Sequence, residues 1–189
     1  MEVLFFQKAF APAVEKIRAQ CPNLPVLVCL DGEMPEAQTF EEFCMRFSAE
    51  PPVLFPAEDS LAAIMPTGGT TGRPKGVMLT HRSLALSIVN SVINTPYRAD
   101  EPIVNLAAAP MTHTAGFLTL AATARGGKVV VMTKPDPAAL LDVVCNERVT
   151  EFFLPPTVIY RLLEMPGVES RDFSHLRYFM YGAAPMSVE

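Results

Sequence analysis

The stretch that most constrains this chain is Ile64-Met-Pro-Thr-Gly-Gly-Thr-Thr-Gly-Arg-Pro-Lys-Gly76, polar and rich in glycine, set between two apolar segments. Gly68, Gly69 and Gly72 interleave with Thr67, Thr70 and Thr71 and leave nothing for core packing, so the segment reads as a loop. Glycine lets backbone N–H groups come close to a ligand. Successive N–H groups form anion-binding concavities, and threonine hydroxyls add donors. Phosphate suits that chemistry: Lys75 brings a mobile point charge, while Pro74 stiffens the exit and biases Arg73 towards an extended backbone. A flexible linker is the alternative, but the segment lies between an apolar strand and an amphipathic helix. A Walker loop needs Gly-Lys-Ser/Thr. Here Pro74 precedes Lys75 and Gly76 follows it, so that pattern fails.

The spacing of apolar residues around the loop alternates between two periods. Helices are expected over 9–20 and 39–47, the second opened by a capping box of Thr39 with Glu42. A short buried strand is expected over 26–30, and 51–59 reads as a connection. A strand over 61–65 feeds the loop, and a helix over 81–93 follows with Thr80 as N-cap. Strand, glycine loop and helix in that order would aim the helix N-terminus at the anion. Strands over 103–109, 129–132, 151–154 and 176–181 then alternate with helices over 114–124, 137–148 and 157–165, the first ending at Gly126-Gly127. Alternation with few charges in the strands implies an α/β fold: a largely parallel sheet with helices on both faces.

At 50% hydrophobic and 19% charged, the 189 residues can supply one sizeable core, and they read as one globular unit. A net charge of −5 without a Lys/Arg block speaks against nucleic acid or an anionic membrane as partner. No apolar run approaches a membrane span, and the opening residues lack a basic leader pattern, so a cytoplasmic setting is expected. Cys21, Cys29, Cys44 and Cys145 show no metal-ligand spacing and are expected to be buried, reduced thiols. The adjacent acids Glu41-Glu42 and Glu58-Asp59 cannot share a helix face and are expected in solvent. His81 and His175 read as structural.

Two further segments follow expected strands. Pro110-Met-Thr-His113-Thr-Ala-Gly116 places His113 at a strand's carboxyl end, where open α/β sheets bind ligands. On residue chemistry alone a lone histidine is more often a capped or partly buried structural residue. Tyr181-Gly182-Ala183-Ala184-Pro185-Met186-Ser187 is small enough for a flat ring to lie on the backbone, or is simply a tight turn.

Thr-Gly-Gly-Thr-Thr-Gly-x-Pro-Lys-Gly resembles the phosphate signature of the adenylate-forming (AMP-binding) superfamily, which includes acyl-CoA synthetases, luciferases and peptide-synthetase adenylation domains. The family commonly has an aromatic residue at Pro66 and Ser at Gly68, so one hydroxyl is lost from the cradle. Pro110, His113 and Gly116 match the family's Pro-x-x-His-x-x-Gly, and Gly182 to Ser187 resembles its Gly-Ala/Gly-Ala-Pro-x-Ser. Ser174-x-Leu176-Arg177 resembles its Ser-Leu-Arg lead-in.

The resemblance implies ATP-dependent activation of a small-molecule carboxylic acid to an acyl-adenylate, followed by thioester formation with CoA. Thr67, Gly68, Gly69, Thr70, Thr71 and Gly72 would wrap the β and γ phosphates and Lys75 would neutralise the leaving pyrophosphate, with Lys75, Thr70 and His113 as the expected catalytic residues. His113 would border the acyl pocket, and Gly182, Ala183, Ala184 and Pro185 would seat adenine. Mg²⁺ would arrive with the triphosphate, with no protein ligand in this chain. A medium- or long-chain fatty acid is the preferred substrate, on the small apolar character of the pocket-side segments. The family's later Tyr-Gly-x-Thr-Glu motif, ribose-binding Asp and C-terminal lysine are not in the sequence. Residues 1–189 are therefore expected to be part of the N-terminal AMP-binding domain, inactive alone. The alternatives are a non-catalytic nucleotide-binding or interaction fragment, an amino-acid-activating domain, and a kinase-like phosphate-loop protein.

Overall fold

A computed structural model describes residues 2–21, 23–24, 26–67, 75–133 and 136–187. The fold is α/β, and it divides into two compact units, Met1–Phe55 and Pro56–Glu189.

In the first unit, β1 (Val3–Phe6), β2 (Val26–Cys29) and β3 (Gln38–Thr39) form a parallel sheet in the order β1-β2-β3. Helix α1 (Ala11–Gln20) packs Val14 against Phe6, Leu27 and Cys29. Helix α2 (Phe40–Cys44) carries the expected capping box: the Glu42 N–H donates to Thr39 Oγ1 at 3.2 Å, and the Thr39 N–H donates to Glu42 Oε2 at 2.8 Å. Cys29 is buried, but Cys21 and Cys44 are exposed, contrary to expectation. Each sits at the last turn of a short helix, where little covers it.

The second unit opens with β4 (Leu61–Thr67) and β5 (Lys75–Thr80), which pair antiparallel from Leu61↔Thr80 to Thr67↔Lys75. This corrects the strand-loop-helix order: residues 68–74 lie between two strands, and β5 separates them from the helix. Helix α3 (His81–Asn94) does begin at Thr80, whose Oγ1 accepts from the Ser83 N–H at 3.1 Å. Its N-terminus, however, adjoins the root of the strand pair. There the His81 N–H donates to Ser60 O, and Arg82 pairs with both Glu58 (2.8 Å) and Asp59 (3.0 Å).

The main sheet comprises β6 (Val104–Ala107), β7 (Lys128–Val131), β8 (Glu151–Leu154) and β9 (Tyr178–Tyr181), all parallel, in the order β7-β6-β8-β9. The chain leaves β6 for β7 on one side and then returns past β6 to β8. Its helices accordingly cover opposite faces. Successive strand residues alternate faces. Leu106, Phe152 and Leu154 join Leu140, Leu141 and Val144 of α5 (Pro137–Asn146) and Ile159 and Leu162 of α6 (Pro156–Leu163) in the main core. The opposite face presents Asn105 and Glu151, and Arg125 at the end of α4 (Thr114–Ala124) bonds to Glu151 there.

Candidate active site

Strand order reverses between β6 and β8, and the loops leaving their carboxyl ends diverge to opposite faces. In open α/β sheets that divergence opens a ligand crevice. His113 lies in the loop after β6, as N-cap of α4, with its ring exposed. Its backbone is fixed by a tight turn: the His113 N–H donates to Pro110 O at 3.1 Å, and the Gly116 N–H donates to His113 O at 3.0 Å. Glycine is required at 116 because a Cβ there would stand 1.9 Å from the Met111 carbonyl oxygen. The spacing Pro-x-x-His-x-x-Gly thus lets the first helical turn close onto the loop that presents His113.

Gly182, Ala183, Ala184 and Pro185 follow β9 at the same carboxyl rim. Gly182 is half-buried, and a Cβ there would touch the Phe153 ring at 3.4 Å, so the surface is flat with an aromatic ring behind it. Ala183 adopts φ 69°, in the left-handed region that costs a non-glycine residue about 1–2 kcal/mol. The turn is anchored from α6, which sequence reasoning missed. Ser187 N–H donates to the Tyr160 hydroxyl at 2.9 Å, and the two hydroxyls lie 3.1 Å apart. These bonds, the side-chain one foremost, hold the Tyr160 phenol below its usual pKa.

The third group, Thr67 and Lys75, is connected to this end of the sheet through α3. Helices α3 and α4 pack side by side, and their C-termini are tied together by Arg125 Nη1 donating to Thr95 O at 2.6 Å. They therefore run in the same sense, and Thr80 at the start of α3 lies towards the end where α4 leaves the His113 loop. The β4–β5 pair springs from there. Thr67 and Lys75 face each other at its far end, about 20 Å along the strands. Thr67 Oγ1 donates to Lys75 O at 3.2 Å, and Lys75 is exposed. Gly68, Gly69, Thr70, Thr71 and Gly72 lie outside the described residues.

A buried polar cluster beneath α3 and α4 also escaped sequence reasoning. Glu151, 2% exposed, accepts from Asn105 Nδ2 and from Arg125 Nη2, each at 3.0 Å. The Arg125 guanidinium lies 4.9 Å from the Tyr97 ring centroid. Burial pushes the Tyr97 phenol up, against the opposing effect of its Thr150 hydrogen bond. A charge at the head of the apolar run Glu-Phe-Phe-Leu was the available signal.

The AMP-binding enzyme family model matches residues 1–189. The chain belongs to that family. Among curated relatives, this AMP-binding chain is 39% identical over 142 residues to a feruloyl-CoA synthase from Amycolatopsis sp, covering 74% of the chain and 28% of that protein. It is 32% identical over 129 residues to the medium/long-chain-fatty-acid–CoA ligase FadD8 of Mycobacterium tuberculosis, covering 68% of the chain and 22% of the relative. The ATP-bound MatB structure from Rhodopseudomonas palustris superposes with a TM-score of 0.79 at 27% identity, over 98% of this chain and 36% of the other. The AMP-binding chain thus spans 22–28% of the length of these two curated relatives.

Proposed function

We propose that the chain is the nucleotide- and acyl-binding part of an AMP-forming acid–thiol ligase. It would form part of the larger N-terminal domain of that enzyme, in a cytoplasmic setting. The observation that supports the reading is that the His113 loop and the Gly182–Pro185 turn leave the carboxyl ends of strands in one parallel sheet. In the reaction, a substrate carboxylate oxygen attacks the α-phosphorus of ATP, the bond to the bridging oxygen breaks, and pyrophosphate leaves. The CoA thiol then replaces AMP at the acyl carbon. Catalysis of such a displacement is positioning and charge neutralisation more than acid–base chemistry.

The residues fit those substrates. Lys75, exposed at the end of β5, supplies positive charge to the leaving pyrophosphate, and Thr67 with residues 68–72 supplies donors. Gly182, without a side chain and backed by Phe153, receives the adenine ring, with Ala183, Ala184 and Pro185 as its border. His113 borders the acyl carboxylate. Mg²⁺, carried on the triphosphate, would spread its negative charge. Two relatives with different acids, feruloyl and fatty acyl, keep aromatic and aliphatic acids both open at this level. Equilibrium binding of labelled ATP to the wild-type chain and to Lys75→Ala tests the assignment. Binding weakened about ten-fold or more in the variant is expected; equal affinity would count against it.

A further inference from the structure

The main sheet has a second edge, opposite the rim that carries His113 and Gly182. Val104 and Lys128 begin β6 and β7, and Thr150 and Arg177 stand one residue before β8 and β9, so all four mark the amino-terminal ends of the strands. They line a pocket of about 440 Å³, within the range of small-molecule sites.

The charges around this pocket are unevenly matched. Lys128 pairs with Glu147, and Arg177 pairs with Glu101 at 3.0 Å. Arg148 lines the pocket too, is exposed, and makes no ion pair among the described residues. Asp172, a carboxylate that feels its charge, lies beyond pairing distance. Three cations against two carboxylates leave one positive charge unbalanced, and Arg148 is the cation without a partner. Its planar fork suits a carboxylate. Pro102 and Val104 add apolar surface to the same pocket.

Arg148 is also held in place at a cost. Its φ of 50° lies in the left-handed region. The turn is a Schellman cap on α5, in which the Val149 N–H donates to Val144 O at 3.0 Å and the Arg148 N–H to Cys145 O at 3.2 Å. Glycine is the usual residue at that position. The attraction of a cation to a helix C-terminus is weaker than the left-handed penalty, so it does not account for an arginine there. His175 fixes the turn from outside, its Nε2 donating to Val144 O at 3.0 Å. That tautomer leaves Nδ1 a buried acceptor without a partner among the described residues. Strained backbone and unmet polar atoms concentrate where a site requires them.

We propose that this pocket is a second ligand site, which takes a small organic monoanion with its carboxylate on the Arg148 guanidinium and its apolar body against Pro102 and Val104. It is independent of the ligase reading of the opposite rim. One unbalanced positive charge suits a single carboxylate and not a triphosphate. The test is a titration of the 189-residue chain with benzoate at constant ionic strength, followed by amide NMR shifts, with benzamide as the uncharged analogue. Benzoate is expected to shift the amides of 147–150 and 174–177 saturably, and benzamide to bind about ten-fold more weakly or worse, as for loss of a charge-assisted pair. Arg148→Gly should lose the same factor at these amides while melting about 2–4 °C higher, because glycine relieves the left-handed turn. Arg148→Gln, which keeps the strain, should lose the affinity without the gain in Tm. Undiminished benzoate affinity in either variant, equal binding of benzamide, or no shift at 147–150 and 174–177 would overturn the proposal. Shifts confined to 113–116 and 182–187 would overturn it while leaving the rim as an acid site.

Discussion

Replacing Gly116 by alanine sets two effects against each other with opposite signs. Gly116 lies in the first turn of α4 and needs no positive φ. Helix propensity alone therefore predicts stabilisation by about 1 kcal/mol. The structure predicts the reverse, because the new Cβ would sit 1.9 Å from Met111 O, 2.8 Å from Met111 C and 3.2 Å from Met111 Cα. These are backbone atoms held in the turn that the His113 N–H closes onto Pro110 O. Relief requires the loop to move by more than an ångström, and overpacking of this kind costs about 1–3 kcal/mol or more. Against unyielding backbone atoms the cost should lie at the upper end, about 3 kcal/mol, so the net loss should be roughly 2 kcal/mol, a fall in Tm of about 6–10 °C for a unit of this size. Differential scanning calorimetry with Gly126→Ala as control makes the comparison. Gly126 has φ 73° but open space around its Cβ, so its substitution should cost only about 1 kcal/mol. A Gly116→Ala protein as stable as wild type, or more so, would refute the steric account of the motif.

Tyr160→Phe removes the hydroxyl that holds Ser187 and should raise amide hydrogen exchange across 182–187 while changing Tm little; unchanged exchange would show that the turn is held by other means. Arg125→Ala leaves Glu151 buried and unpaired, so urea denaturation should show a loss of about 3–5 kcal/mol, largely recovered in Arg125→Met/Glu151→Leu. The carboxyls of Asp31, Glu42 and Asp172 are held below their usual values. The first two accept chiefly from the backbone N–H groups of Lys8 and Thr39, and the third interacts with Ser174. A depressed folded pKa contributes stability that is fully present above the unfolded value near 4 and is lost as pH falls towards the folded value. Tm should therefore fall between about pH 5 and pH 3, and less steeply in Asp31→Asn; parallel curves would contradict the assignment.

Much of this fold is legible in the sequence because local signals and tertiary needs agree. Thr39 with Glu42 and Thr80 cap the helices expected of them. The apolar runs at 104–107, 151–154 and 178–181 form the parallel sheet. Strand β5 was not legible. Lys75–Thr80 contains only three consecutive apolar residues, Val77 and Met78 are exposed, and its partner is chosen by pairing with β4 rather than by its own pattern. That omission misplaced the helix N-terminus relative to the glycine loop. Strand β1 was missed for a similar reason, since Val3–Phe6 is only four residues long and is defined by its pairing with β2. The motif residues His113 and Gly182 were legible as strand-end positions. Tyr160, Phe153, Arg125 and Glu151 were not, because each acts on a residue distant in sequence.

The central claim is that one nucleotide lies across the carboxyl rim, with its phosphates at the Lys75 end of the strand pair and its adenine on the turn after β9. Photolabelling with 8-azido-ATP, followed by peptide mapping, tests it most directly. The account predicts label on the peptide containing 178–187, suppressed by excess ATP and reduced in Lys75→Ala. Competable label confined to the opposite, amino-terminal edge of the sheet, around Lys128 and Arg177, would contradict it.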